Sequence, residues 1–140
     1  MLILNSSLLE QIKTQSEKGY PFEICGFMVG KVDYQSSNIR EVFEVVQVEN
    51  QNRERANDRF EISPKDYMRV EQLADSKGLQ IVGVYHSHPD HPDRPSQTDL
   101  EYAVEDISYI ILSVKGGKVE SFRSWYLVEG EFQEEEVKIV

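Results

Sequence analysis

Residues 79–99 read LQIVGVYHSHPDHPDRPSQTD, and the fold turns on them. Leu79 to His86 is an apolar run of strand length without polar alternation, the pattern of a strand covered on both faces and therefore central in its sheet. A Pro-rich loop, PDHPDRP, leads to Ser96, and Gln97 to Val104 reads as a helix. A buried strand followed by a short loop and a helix calls for a sheet with helices packed against it.

The flanks agree. Upstream, Ser63 and Pro64 open a helix whose apolar face is Tyr67, Met68, Val70 and Leu73, ended by Gly78. Ahead of it lies a polar loop, Glu49 to Arg59, with Arg53, Arg55 and Arg59, then Phe60 to Ile62 as a short strand. Ile24 to Val32 and Ile39 to Val48 form a strand pair around the polar stretch 33–38. Asn5 to Gly19 reads as a first helix, with Ser6 or Ser7 as cap and Leu8, Leu9 and Ile12 at helical spacing. Downstream, Tyr109 to Val114 and Val119 to Val128 flank Gly116-Gly117, and Glu129-Gly130 turns into Glu131 to Val140, making the carboxyl third a β-meander. Together these elements build one layered α/β domain over residues 1–140.

Composition limits the function. With 15 Lys and Arg against 25 Asp and Glu the net charge is −10, and no basic stripe is present for phosphate backbones, so nucleic acid is a poor partner. A chain of 140 residues buries about two-thirds of its unfolded surface, enough for a core without staples. The single cysteine, Cys25, has no intramolecular partner and suits a reducing compartment. The beginning MLILNSSLLEQIKTQ lacks the basic and apolar regions of an export signal, and no segment approaches the roughly 20 apolar residues of a membrane span. The expectation is a cytoplasmic protein with no membrane anchor.

The chemistry concentrates in the same stretch. All three histidines, His86, His88 and His91, fall where the strand gives way to the loop. Residues two apart in a strand share a face, so His86 and His88 can present both imidazoles to one metal ion at about 2.0–2.1 Å. Asp99, in the first turn of the following helix, completes a His₂Asp set that leaves one tetrahedral position open for water, the catalytic form of a zinc site. A proton carrier is still needed, and Glu23, upstream in PFEICG, is the candidate.

These residues resemble a known family. The run from His86 to Asp99 is similar to the H-x-H-x7-S-x2-D signature of the JAMM (MPN+) zinc metalloproteases, with Glu23 in the E-x-C-G context matching the upstream glutamate of that family. FEISP, GLQIVGVYHSHPDHP and Arg123-Ser124-Trp125 resemble the short bacterial branch that acts on ubiquitin-like sulfur-carrier proteins. The resemblance implies a JAMM-like (cytidine-deaminase-like) layered fold with a mixed central β-sheet flanked by helices. It implies one Zn²⁺ per chain with a bound water, held by His86, His88 and Asp99. Glu23 would be the general acid/base and Ser96 the hydroxyl that steadies the oxyanion. The substrate would be a carrier protein ending in Gly-Gly, cut after the second glycine with release of cysteine or another amine; a deubiquitinase-like isopeptidase on protein adducts and a peptidase of wider taste use the same five residues and stand as alternatives. Oligomeric state is left open, a homodimer included.

Plainer readings stand beside these. Ser96-Gln97-Thr98-Asp99 is also a capping-box variant, a use that competes for the Asp99 carboxylate. Glu23 has a plainer reading as a solvated carboxylate, though its place beside Cys25-Gly26 favours the functional one; Cys25 reads as an inert buried thiol rather than a nucleophile, and His91, Asp90 and Asp93 as water-facing loop residues rather than ligands. The arginines of the 49–59 loop are a solvated face or a contact for an acidic partner. A zinc deaminase needs a P-C-x-x-C segment, which one cysteine excludes. A non-catalytic module of the same fold would lack the need for Glu23.

Overall fold

The structure, a computed structural model, describes residues 1–36 and 38–140; position 37, in the predicted 33–38 connection, lies outside the described residues. Along the chain run β1 (Leu2–Leu4), α1 (Ser6–Gly19), β2 (Cys25–Asp33), β3 (Ile39–Val48), α2 (Pro64–Ser76), β4 (Gln80–Pro89), α3 (Gln97–Tyr102), β5 (Ser108–Lys115), β6 (Lys118–Val128), β7 (Glu131–Glu135) and β8 (Val137–Ile139). The strands form a mixed sheet in the order β7-β6-β5-β4-β2-β3-β1-β8. As the apolar run predicts, β4 is central, parallel to β5 and antiparallel to β2, and its last eight residues are all buried.

Local chemistry sets the helix starts. Ser63 caps α2, its side chain accepting from the Asp66 N–H, with Pro64 opening the first turn. α1 is capped by Asn5, whose Oδ1 accepts from the Ser7 N–H at 2.7 Å, so the cap falls ahead of the expected Ser6 or Ser7. α3 ends at Tyr102, short of the expected Val104. Phe60 to Ile62 forms no strand.

The carboxyl end departs from the expected meander. β7 continues it, antiparallel to β6, but β8 pairs in parallel with β1. One residue, Glu136, therefore links strands at opposite ends of the order. Eight strands laid flat would separate those edges by about 33 Å, whereas two chain steps span under about 7.6 Å. The sheet must curl until its edges nearly meet. The Leu2 N–H donates to the Glu136 carbonyl at 2.9 Å across that seam, and Arg40 of β3 lies 3.8 Å from Glu135 of β7.

Two apolar clusters fill the faces. α1 packs with Leu2, Leu4, Met28, Val82, Tyr85 and Ile110 on one side; Val70 and Ala74 of α2 pack with Phe27, Val29, Val84 and Tyr109 on the other. The ladder between β2 and β4 slips once: Met28 pairs with Gly83 but Val29 with Ile81, leaving Val82 unopposed. This bulge resets the alternation, so Val82 faces α1 while Val84 faces the α2 side. His86 and His88, two and four residues on, share the face of Val84. Without the slip both histidines would point into the α1 core.

Candidate active site

Ser87, between the two histidines, is fully buried on the opposite face. Its Oγ accepts from the Ile24 N–H at 2.9 Å, and its own N–H donates to the Ile24 carbonyl at 3.1 Å. This double link, with Cys25 opposite His86 in the ladder, brings Glu23 beside the end of β4. The Glu23 N–H donates to the Ala56 carbonyl at 2.6 Å. Asn50 Nδ2 donates to the carbonyls of Glu23 at 3.1 Å and Arg59 at 2.9 Å, while its Oδ1 accepts from the Asn52 and Glu61 N–H groups, each at 3.0 Å. The polar loop is thus built around one asparagine and tied to Glu23. Phe60, at its end, stacks on the His86 ring with centroids 4.4 Å apart.

The five predicted residues come together around α3 and the end of β4. His86 Nε2 and His88 Nε2 are 3.1 Å apart; Asp99 Oδ1 lies 3.3 Å from the first and Oδ2 3.1 Å from the second. Four-coordinate zinc with bonds of about 2.0–2.1 Å has donor–donor edges of about 3.3 Å, close to the Nε2–Nε2 separation and to the distance from each imidazole to its nearer Asp99 oxygen. The His88 Nδ1 donates to the Pro92 carbonyl at 2.8 Å. A carbonyl only accepts, so a proton sits on Nδ1, and in the neutral ring the Nε2 lone pair is left for a cation. Glu23, His86 and His88 also converge, their donor atoms all within 4.8 Å of one another. Glu23 Oε1 and His86 Nδ1 are buried without a hydrogen-bond partner among the described residues.

Asp99 does two things at once, contrary to the expected competition. Its N–H donates to Ser96 Oγ at 3.0 Å and its Oδ2 accepts from the Ser96 N–H at 2.9 Å, a complete capping box, while both oxygens face the imidazoles. A carboxylate with about four lone-pair sites has capacity for all of these contacts. Ser96 is exposed, and its hydroxyl hydrogen stays available to an incoming carbonyl.

Electrostatics sort the groups. Burial raises Glu23 to about 8, partly opposed by His88 and reinforced by Asp99 and Asp58. Burial would raise Asp99 too, but His86, His88 and the Ser96 N–H hold it far below the carboxylate range. Burial lowers His86 despite Asp99; it acts the same way on His88, where hydrogen bonding and charge from Asp99 and the charge of Glu23 prevail and raise the imidazole.

The other candidates are engaged elsewhere. Asp90 accepts from the Tyr20 hydroxyl at 2.6 Å and the Gly116 N–H at 2.9 Å, Asp93 pairs with Arg123 at 3.3 Å, and His91 is exposed. Cys25 is buried, its thiol pushed up to about 12 chiefly by that burial, and its Sγ faces the Val48 carbonyl at 3.8 Å rather than a histidine. Arg53 and Arg55 pair with Glu49 and Asp58 of their own loop. Phe60, Ser87 and Pro92 lie inside stretches that carry the resemblance, but nothing in the sequence assigns a role to them or to Asn50. A cavity of about 550 Å³, lined by Arg40, Glu105, Tyr126 and Glu135 among others, lies at the sheet seam and includes none of the metal donors.

Known proteins resemble this chain in sequence and fold. The chain is 31% identical to the desampylase of Pyrococcus furiosus over 119 residues, 84% of this chain and 75% of that one. It is 25% identical to the CysO-cysteine peptidase of Mycobacterium tuberculosis over 141 residues, covering 100% of this chain and 92% of the relative. The fold is similar to that of a JAB1/MPN domain protein from Archaeoglobus fulgidus, with a TM-score of 0.60 at 20% identity over 100% of this chain and 99% of that one. Residues 5–128 match the family described as prokaryotic homologs of the JAB domain. With that match over most of its length and peptidases among its relatives, the chain is a hydrolase belonging to the family of prokaryotic homologs of the JAB domain.

Proposed function

We propose that residues 1–140 form one cytoplasmic metallopeptidase domain that hydrolyses the amide bond after the C-terminal Gly-Gly of a ubiquitin-like sulfur-carrier protein, releasing cysteine or another amine. The observation that carries the reading is the triangle of His86, His88 and Asp99 at 3.1–3.3 Å, with a buried carboxyl beside it. His86, His88 and Asp99 would hold one Zn²⁺. Bound zinc supplies Lewis acidity and brings its water to a pKa of about 7.

The remaining chemistry belongs to the chain. Glu23, buried beside His86 and His88, would take a proton from the nucleophile and deliver it to the departing amine. Ser96, whose Oγ keeps accepting from the Asp99 N–H, donates its hydroxyl hydrogen to the oxygen of the scissile carbonyl as charge develops there. His88 is oriented by Pro92, and Phe60 covers one face of His86, limiting water on that side. Glycines before the scissile bond let the substrate backbone approach this crowded site. The names of the relatives support a small carrier protein as substrate, and the peptidase of Mycobacterium tuberculosis supports cysteine as leaving group.

The test is intact-mass analysis of the zinc-loaded protein incubated with a ubiquitin-like sulfur carrier extended past Gly-Gly by cysteine, with chelator-treated and Glu23→Ala controls. Loss of one cysteine mass with wild type alone is expected. An uncut carrier in the presence of bound zinc refutes the substrate and sends the search to other isopeptide adducts.

A further inference from the structure

Arg123 and Trp125 of β6 take no part in the chemistry above, yet both grip the loop between β4 and α3. Arg123 Nε lies 3.3 Å from Asp93 Oδ1, and its Nη1 donates to Glu134 of β7 at 2.8 Å. The Trp125 indole N–H donates to the Asp93 carbonyl at 3.0 Å. Asp93 is only 6% exposed although it stands in a surface loop. Two positions earlier the Ser113 hydroxyl of β5 donates to the His91 carbonyl at 2.6 Å, and between them Pro92 receives His88 Nδ1 at 2.8 Å. Three consecutive carbonyls, of residues 91, 92 and 93, are thus each held by a side chain from a different strand.

The middle carbonyl matters because His88 has a competing acceptor. Asp99 Oδ2 sits 3.1 Å from His88 Nε2, and a carboxylate is a stronger acceptor than a carbonyl. Were Pro92 to swing away, the neutral ring would place its proton on Nε2 against Asp99, and the lone pair facing His86 would be lost. An outer partner that fixes the tautomer of a ligating histidine commonly sets metal affinity.

We propose that Arg123 and Trp125 are positioning residues of the metal centre: by clamping Asp93 they aim the Pro92 carbonyl at His88 Nδ1 and keep the Nε2 lone pair directed at the cation. This rests on the reading of His88 as a ligand through Nε2. Arg123, half-exposed on the sheet, fills no core volume, so its role is separable from folding.

Two readouts test it. Long-range proton–nitrogen spectra of chelator-treated protein at mildly alkaline pH report the His88 tautomer, and competition with a chromophoric chelator reports zinc affinity. Wild type is expected to show the Nδ1–H form alone. Arg123→Ala should populate the Nε2–H form and weaken zinc binding by about tenfold, the lower end for an outer partner, while Arg123→Lys keeps both properties. Trp125→Phe, which deletes one N–H and keeps a ring, should shift both in the same direction and carries the test if Arg123→Ala does not fold. An Arg123→Ala protein with wild-type tautomer and affinity, or one that only melts earlier, overturns the proposal. Wild type that binds no zinc refutes the ligand reading instead, and the tautomer spectra still decide whether the clamp acts on His88.

Discussion

Replacing Asn50 by alanine should uncouple catalysis from metal binding. The side chain makes four hydrogen bonds at 2.9–3.1 Å, two donated to the carbonyls of Glu23 and Arg59 and two accepted from the N–H groups of Asn52 and Glu61. At a net of about 0.5–1.5 kcal/mol each the sum is about 2–6 kcal/mol. Asn50 is half-buried, so water restores part of this and about 2–3 kcal/mol is expected. For a chain of this size that corresponds to a melting temperature lower by roughly 6–12 °C. Asn50→Asp keeps the acceptor, loses both donors and sets a charge against two carbonyls, so it should fall at least as far. Asn50 bonds none of the proposed ligands, which lie on β4 and α3, so zinc affinity should stay within about twofold, whereas kcat/KM on a carrier–cysteine fusion should drop by at least about tenfold because Glu23 loses its backbone anchor. Melting curves, chelator competition and steady-state kinetics on both variants check this. A melting temperature within about 1 °C of wild type, or zinc affinity falling in step with turnover, refutes the reasoning.

Three further outcomes are expected. Glu23→Gln should reduce turnover by about 10²–10⁴-fold while elemental analysis still finds one zinc; loss of the metal would make Glu23 a ligand instead. Asp99→Ala should abolish zinc retention and also cost about 1 kcal/mol in a urea melt through the lost capping box; Asp99→Asn, which keeps an acceptor for the Ser96 N–H, should recover most of the stability and little of the metal, and equal behaviour of the two would disprove the double role. Cys25, with its thiol raised to about 12, is about one part in ten thousand thiolate at pH 8, so iodoacetamide should label it only in denaturant; rapid labelling of native protein would contradict its burial.

What sequence reading reached and missed follows physical lines. The central placement of β4 was legible because burial on both faces leaves an unbroken apolar run, and the α2 start because Ser63-Pro64 acts within one turn. The pairing of His86 with His88 was legible because strand alternation is strictly local. The face they occupy was not: it depends on the slip at Val82, which leaves no mark in composition. β1 and β8 are three residues each, too short for a period, and their parallel pairing joins positions far apart in the chain. Asn50 was invisible because its four bonds are all to backbone groups, which every sequence possesses. The expected compromise between cap and ligand for Asp99 is eased because one carboxylate has capacity for the capping bond and for contacts to both imidazoles.

The closing of the sheet by β8 has a kinetic side. Leu2 and Val137 are partners 135 positions apart, so their pairing pays a long loop-closure entropy and is rewarded only after the intervening ladders exist. Such late contacts are largely absent from the folding transition state, and weakening them, for example with Leu4→Ala, should speed unfolding while leaving the folding limb of a chevron almost unmoved. A slower folding limb in that variant would place the seam in the nucleus. The seam is thereby the latch on the lifetime of the native state, even though the chemistry sits strands away on β4.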